Sequence, residues 1–194
     1  MKRRGAHRRT AVRGRGHAAG GQAGHAPAVL AGAEFVTLLK RGQLADPQNA
    51  ELRAGRPVRA RPLTGQAASV LQRLERLLVQ ASVGSGVQVS ARPLVRLGPH
   101  DLWRPHLGLF PVRAVSTIHA SGATTEAAAA RLIVLLSRGE ARPERLAGYA
   151  AAGAGEVWSV SLCEGWTVRY RSPWAGRYQS RTLWYPGEGL PVVA

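Results

Sequence analysis

The chain has 194 residues, 27 Lys+Arg against 11 Asp+Glu for a formal net charge of +16, and 45% hydrophobic residues. That length and apolar content suit one domain with a tail, or two small domains, and exclude a chain disordered throughout. No apolar run approaches the roughly 18 residues of a membrane span, and the single cysteine, Cys163, excludes an internal disulfide or a CxxC metal site, so a cytoplasmic protein is the expectation.

Nearly all the cations are arginine; only Lys2 and Lys40 are lysine. Together with abundant Gly and Ala this points to a GC-rich coding sequence, which supplies some arginine by codon usage alone. A surplus of this size attracts polyanions whatever its origin. Residues 1–27 hold seven of the cations, three histidines and no acid. They read as a disordered basic arm, because they have too little apolar surface to offset the entropy of ordering. The arm lacks the apolar stretch of a secretory signal; it is read as a phosphate-tracking arm or as upstream sequence translated in frame. Without it, residues 28–194 keep twenty basic against eleven acidic residues, a surplus of +9.

Residues 33–44 carry Phe35, Val36, Leu38 and Leu39 at the spacing of a short amphipathic helix, ended by Gly42 and Asp46-Pro47. Residues 51–63 alternate small and apolar residues with Arg53, Arg56, Arg59 and Arg61 around Ala54-Gly55. They predict a β-hairpin with a cationic outer face. Residues 64–80 predict a helix capped by Thr64. Its apolar stripe is Ala67, Val70, Leu71, Leu74, Leu77 and Leu78. After the turn at 84–86, residues 87–97 read as a strand interrupted at Pro93, and 107–112 as a second strand.

The continuous apolar run 131–136 suits a buried central strand. Residues 141–152 read as a helix with Pro143 in its first turn. Three strands follow, at 156–162, 166–171 and 178–184, and then a loop from 186 to 194. The order predicts an α+β domain over 28–194, a central mixed sheet flanked by helices.

Some candidate chemistry can be set aside at once. Ser137 and Thr64 have no nucleophile-elbow context or paired base. The glycines at 153–155 follow a helix instead of opening one, so they do not form a phosphate loop. Cys163 reads as a small buried hydrophobe on an apolar strand. Trp158, Trp166, Trp174 and Trp184 interleave with Arg169, Arg171, Arg177 and Arg181. That pattern suits base stacking, but it suits core aromatics with arginine on the outer face better.

Five strings in order resemble one family. AELRAGRPVRARPLTGQAASVLQRLERLL resembles its hairpin and long helix, and RPHLGLF its Pro-Asp strand. RLIVLLS resembles its apolar strand with an embedded Glu. RLAGYAAAGAGEVWSV resembles its Tyr-containing helix, turn and following strand, and GRYQSRTLWYPGEGLPV its last strands. The family is the Uma-two family of restriction endonuclease-like proteins, within the PD-(D/E)XK nuclease superfamily, and the resemblance covers residues 33–193. It implies a restriction-endonuclease-like fold. It also implies phosphodiester cleavage by acidic residues that hold Mg²⁺ or Mn²⁺, with a lysine orienting the attacking water.

The catalytic positions depart from that pattern. Glu51 matches the early acidic residue. His106 stands at the Asp of Pro-Asp, Val134 at the strand Glu and Arg145 at the helical Lys. Valine offers no ligand, histidine prefers softer metals than Mg²⁺, and arginine is no base. The resemblance therefore implies a degenerate nuclease with no metal expected, binding DNA or RNA through Arg53, Arg56, Arg59, Arg61, Arg145 and the arm residues Arg3, Arg4, Arg8 and Arg9. One alternative is an active endonuclease using Glu51 and His106 with an acid migrated from Asp101, Glu140 or Glu144. Another is an interaction protein, such as a homodimer, with no nucleic-acid role; no membrane association is expected in any of these readings.

Overall fold

The computed structural model describes residues 29–114 and 124–189. The expected basic arm, with Arg3, Arg4, Arg8 and Arg9, lies outside them. The chain forms helix α1 (Gly32–Lys40), the hairpin β1 (Ala50–Arg53) and β2 (Arg56–Arg59), and helix α2 (Gly65–Ala81). Strands β3 (Val87–Ala91), β4 (Val95–Gly98), β5 (Asp101–Trp103), β6 (Leu107–Pro111) and β7 (Thr125–Glu126) follow. Next come β8 (Leu132–Ser137), helix α3 (Pro143–Ala151), β9 (Glu156–Ser161), β10 (Thr167–Trp174) and β11 (Arg177–Trp184). The α+β class is as expected, but the strands form two sheets instead of one. A small sheet has the order β2-β1-β5-β4-β7 and a larger one the order β11-β10-β9-β8-β6-β3.

The division falls where residues 87–97 were expected to run as one interrupted strand. Arg92 sits at φ 49°, a conformation that an L-residue adopts at a cost, and Pro93 follows it. The chain turns there, so β3 pairs with β6 in the large sheet while β4 pairs with β5 in the small one. Strand β5, at three residues, is too short to leave an alternation pattern in the sequence.

The expected hairpin forms with a two-residue turn. Ala54 and Gly55 have φ 47° and 72°, the pair of positive values that a tight hairpin turn requires. Pro57 lies on the edge strand β2, where a missing N–H costs no ladder bond. The Thr64 hydroxyl caps α2 by accepting from the Ala67 N–H at 3.3 Å. On α2, Ala67, Leu71 and Leu78 are buried, whereas Leu77, expected on the same stripe, is exposed.

Strand β8 is apolar on both faces and central, as the run 131–136 suggests. Leu132, Val134 and Leu136 pack with Leu71 and Leu78 of α2. Ile133 and Leu135 pack with Tyr149 of α3, Val157 and Val168. One helix therefore covers each face of the large sheet. Strand β8 runs parallel to β9, with α3 as the crossover. A third cluster, Phe35 of α1 with Leu52 and Leu102, seals the small sheet.

Two sequence readings need correction. Cys163 lies in the turn after β9 and is exposed, not buried on a strand. Arg169 does not cover an outer face; it is buried and ion-paired to Glu156 at 2.7 Å. Trp158 and Tyr170 do pack into the core, while Trp174 is exposed.

Helix α3 touches the small sheet as well as the large one. The Trp103 ring, at the end of β5, lies edge-on to Tyr149 with centroids 5.5 Å apart. A Cβ on Gly148 would come within 2.2 Å of that ring. Gly148→Ala should therefore push α3 off the small sheet and lower stability by about 1–3 kcal/mol, readable as a drop in urea midpoint. An unchanged midpoint would mean that the seam is loosely packed.

Candidate functional site

The seam between the small sheet and α3 holds the acidic position singled out in the sequence. Strand β1 buries Leu52 in the α1 cluster, and side chains alternate along a strand, so Glu51 faces the other way. It is fully buried. Arg53, two residues on and on the same face, donates to Glu51 Oε2 through Nη2 at 2.6 Å and Nε at 3.0 Å. Arg145, in the first turn of α3, donates through Nη2 to Oε1 at 2.9 Å. The backbone N–H of Arg104 donates to the same oxygen at 2.9 Å.

Burial pushes the Glu51 pKa up, but the charge of Arg145, the Arg104 N–H and Arg53 outweigh it and hold the carboxyl below its ordinary value. Arg145 also donates to the Arg104 carbonyl at 2.7 Å. The Arg53 and Arg145 guanidinium carbons lie 5.7 and 5.9 Å from the centroid of Trp103, within reach of cation–π attraction. Beneath Arg145, burial pushes the Tyr149 hydroxyl up to about 12. That hydroxyl and Arg145 Nε have no hydrogen-bond partner among the described residues.

His106 lies just before β6. Its Nδ1 accepts the Leu136 N–H at 2.9 Å, which places the ring proton of the neutral form on Nε2. Burial, and after it Arg145 and Arg92, lower its pKa to about 4, so the ring is neutral at pH 7. The His106 backbone N–H donates to the Val134 carbonyl at 3.0 Å. The Val134 side chain turns to the α2 face and packs in the core there. The structure thus brings Glu51, His106 and Arg145 into one neighbourhood and leaves Val134 touching it through backbone alone. The β8 residues on the α3 face, Ile133 and Leu135, are equally apolar.

Of the three acids considered as migrated ligands, Asp101 stands on the same sheet face as Glu51, beside Trp103, and the other two lie outside the seam. Asp101 accepts from the Ala54 N–H at 2.9 Å and from Trp103 Nε1 at 3.2 Å. Glu140 is held by the Tyr170 hydroxyl and by Arg181. Glu144 is exposed on α3. Among the described residues no group of three or more His, Cys, Asp or Glu side chains is arranged to hold a metal ion. A hard divalent cation does not fit here. Both Glu51 oxygens already accept from arginine or a backbone N–H, and the Nδ1 lone pair of His106 already accepts the Leu136 N–H.

The hairpin arginines divide into two kinds. Arg53 serves Glu51, and Arg59 pairs with Asp46 at 2.8 Å. Arg56 and Arg61 are exposed and have no ion pair among the described residues. Residue-by-residue reading missed Arg104 and Trp103. Neither stands in a motif, and their roles arise only when β5 pairs beside β1.

The fold is nuclease-like. Over 80% of this chain and 88% of the other, it is similar to the crystal structure of a protein from Anabaena variabilis described as "a putative nuclease belonging to DUF820", with a TM-score of 0.60 and 12% identity. No protein-family model matches the chain, and no curated protein matches it. None of the helices among the described residues is long and apolar enough to cross a membrane.

Two measurements follow from the seam. The His106 ring signal in NMR should titrate near pH 4, not 6.5; a midpoint above 6 would mean the ring is solvated. Because its folded pKa lies below the unfolded value, stability falls as pH drops from 6.5 towards 4. Glu51, also lowered in the fold, contributes stability that is in place above its ordinary 4.5 and lost as pH falls through the folded value. Glu51→Ala should cost about 3–5 kcal/mol, because it strands Arg145 in the seam, with the half-exposed Arg53 adding little. A loss below 1 kcal/mol would show that the arginines rearrange into water.

Proposed function

We propose that this chain is a nuclease-fold protein that binds nucleic acid without cutting it. The observation that carries the reading is the saturated Glu51. The one carboxylate at a catalytic position of the resemblance is enclosed by two guanidiniums and a backbone N–H. Strand β8 carries no acid on either face, and the Nδ1 lone pair of His106 is taken by the Leu136 N–H. A site organised this way attracts anions and has no means of activating water. Arg56 and Arg61 extend the cationic surface along the outer edge of the hairpin, where they would meet phosphates without reading bases. The preferred partner is DNA or RNA.

The test scores retention and cleavage on the same samples of labelled single- and double-stranded DNA, with and without Mg²⁺ or Mn²⁺. Retardation that weakens with salt, with intact substrate, is expected. Arg56→Ala/Arg61→Ala should weaken binding evenly across sequences and reduce its salt slope by about 2. Metal-dependent cleavage lost in Glu51→Gln would overturn the reading in favour of an active endonuclease. Neither binding nor cleavage would leave an interaction protein.

A further inference from the structure

Next to the Glu51 seam lies an open cleft of about 550 Å³ between the end of α1, the 47–49 turn and two arginines, Arg92 and Arg104. Its volume is in the range of small-ligand sites. Leu39 and Pro47 give it an apolar wall, and Gln48 and Asn49 a polar rim.

The two arginines are held in place with donor capacity left over. Arg104 Nε donates to the Ala50 carbonyl at 3.0 Å, Nη1 to the Arg92 carbonyl at 3.0 Å and Nη2 to the Pro47 carbonyl at 3.1 Å. Its acceptors are all neutral, so its charge has no carboxylate in direct contact. Arg92 uses one N–H, to Asn49 Oδ1 at 2.6 Å. Each guanidinium has five N–H groups, and those not named here have no protein acceptor among the described residues.

The nearby carboxylates are already committed. Asp46 accepts from Arg59 Nε at 2.8 Å and from Asn49; Glu51 belongs to Arg53 and Arg145. The cleft is therefore lined by arginines whose side-chain hydrogen bonds go to neutral acceptors. Burial, and after it the Arg92 charge, lower the Arg104 pKa, with Glu51 offsetting part of the effect. Arg92 also keeps the strained φ of 49°, which sets its carbonyl on Arg104 and its side chain at the cleft.

We propose that this cleft binds the phosphate of a nucleotide unit, with the phosphate on Arg92 and Arg104 and the ring against Leu39 and Pro47. Paired arginines match phosphate oxygens through parallel N–H bonds, and three carbonyls hold Arg104 ready, so little ordering is needed on binding. This deepens the nucleic-acid reading by naming a docking point for one nucleotide, and it stands or falls separately from the hairpin arginines.

The test is calorimetry on the full chain with adenosine 5′-monophosphate, inorganic phosphate and adenosine, beside retention of a single-stranded oligonucleotide. Two variants leave the Arg104 scaffold intact. Arg92→Asn removes a guanidinium but keeps a residue tolerant of positive φ. Gln48→Glu sets a carboxylate on the exposed rim. Binding of the monophosphate and phosphate but not of adenosine, weakened about tenfold or more in both variants, is the expected result. Thermal melting of each variant checks the fold. If the oligonucleotide binds while the monophosphate does not and neither variant matters, the cleft proposal is wrong and the hairpin carries binding. If the monophosphate binds with these sensitivities but the oligonucleotide does not, the cleft takes free nucleotides and the nucleic-acid reading is wrong instead.

Discussion

A carboxylate removed from water must find compensation close by, and in this protein the compensation organises the whole seam. Glu51 is fully buried, and burial alone would expel its charge. Its three partners come from three places: Arg53 from the same strand, the Arg104 N–H from the residue after β5, and Arg145 from α3. Satisfying one side chain therefore fixes the pairing of β1 beside β5 and the height of α3 above both. A buried ion pair adds little net stability over a well-packed apolar equivalent. Its contribution here is to allow few other arrangements, because any slip of α3 along the sheet strands a charge.

The same bonds determine what the site can do. Both carboxylate oxygens are occupied, so Glu51 has no lone pair directed at a water or an incoming ion. The arginines around it outnumber the acids, and the excess appears next door. Arg92 and Arg104 direct their guanidiniums to neutral acceptors. A site built to gather carboxylates around a cation would show the opposite balance. This one gathers guanidiniums around a single carboxylate and presents the remainder to solvent.

Much of this was legible in the sequence. The apolar run of β8, the capped α2 and the Ala54-Gly55 turn follow from local rules that the tertiary structure does not override. Glu51, His106 and Arg145 could be picked out because short strings placed them at matching positions. Other features depend on long-range geometry. The split between β3 and β4 turns on one residue, Arg92, taking a positive φ that no local pattern announces. Strand β5 is too short to show alternation, so neither the second sheet nor the roles of Trp103 and Arg104 were visible. Arg169 read as a surface residue because a buried arginine cannot be recognised until its partner, Glu156 across the β9–β10 pair, is known. Counting back from Leu136-Ser137 places Val134 at the strand-Glu position, and the strand's alternation turns its side chain to α2.

That last point bears on how strand β8 is accommodated at the centre of the fold. Strand β8 is central and covered by a helix on each face, so every residue from Leu132 to Leu136 is buried. An acid there would need a cation beside it to offset its desolvation. With apolar residues on both faces the strand needs no such partner, and it packs as ordinary core. Buried charge sits instead in the seam between the small sheet and α3 and across the β9–β10 pair, and in both places arginine supplies the balancing charge from the protein itself. The similarity to the Anabaena structure at 12% identity is a similarity of fold, and an apolar core strand asks for no particular acid to keep it.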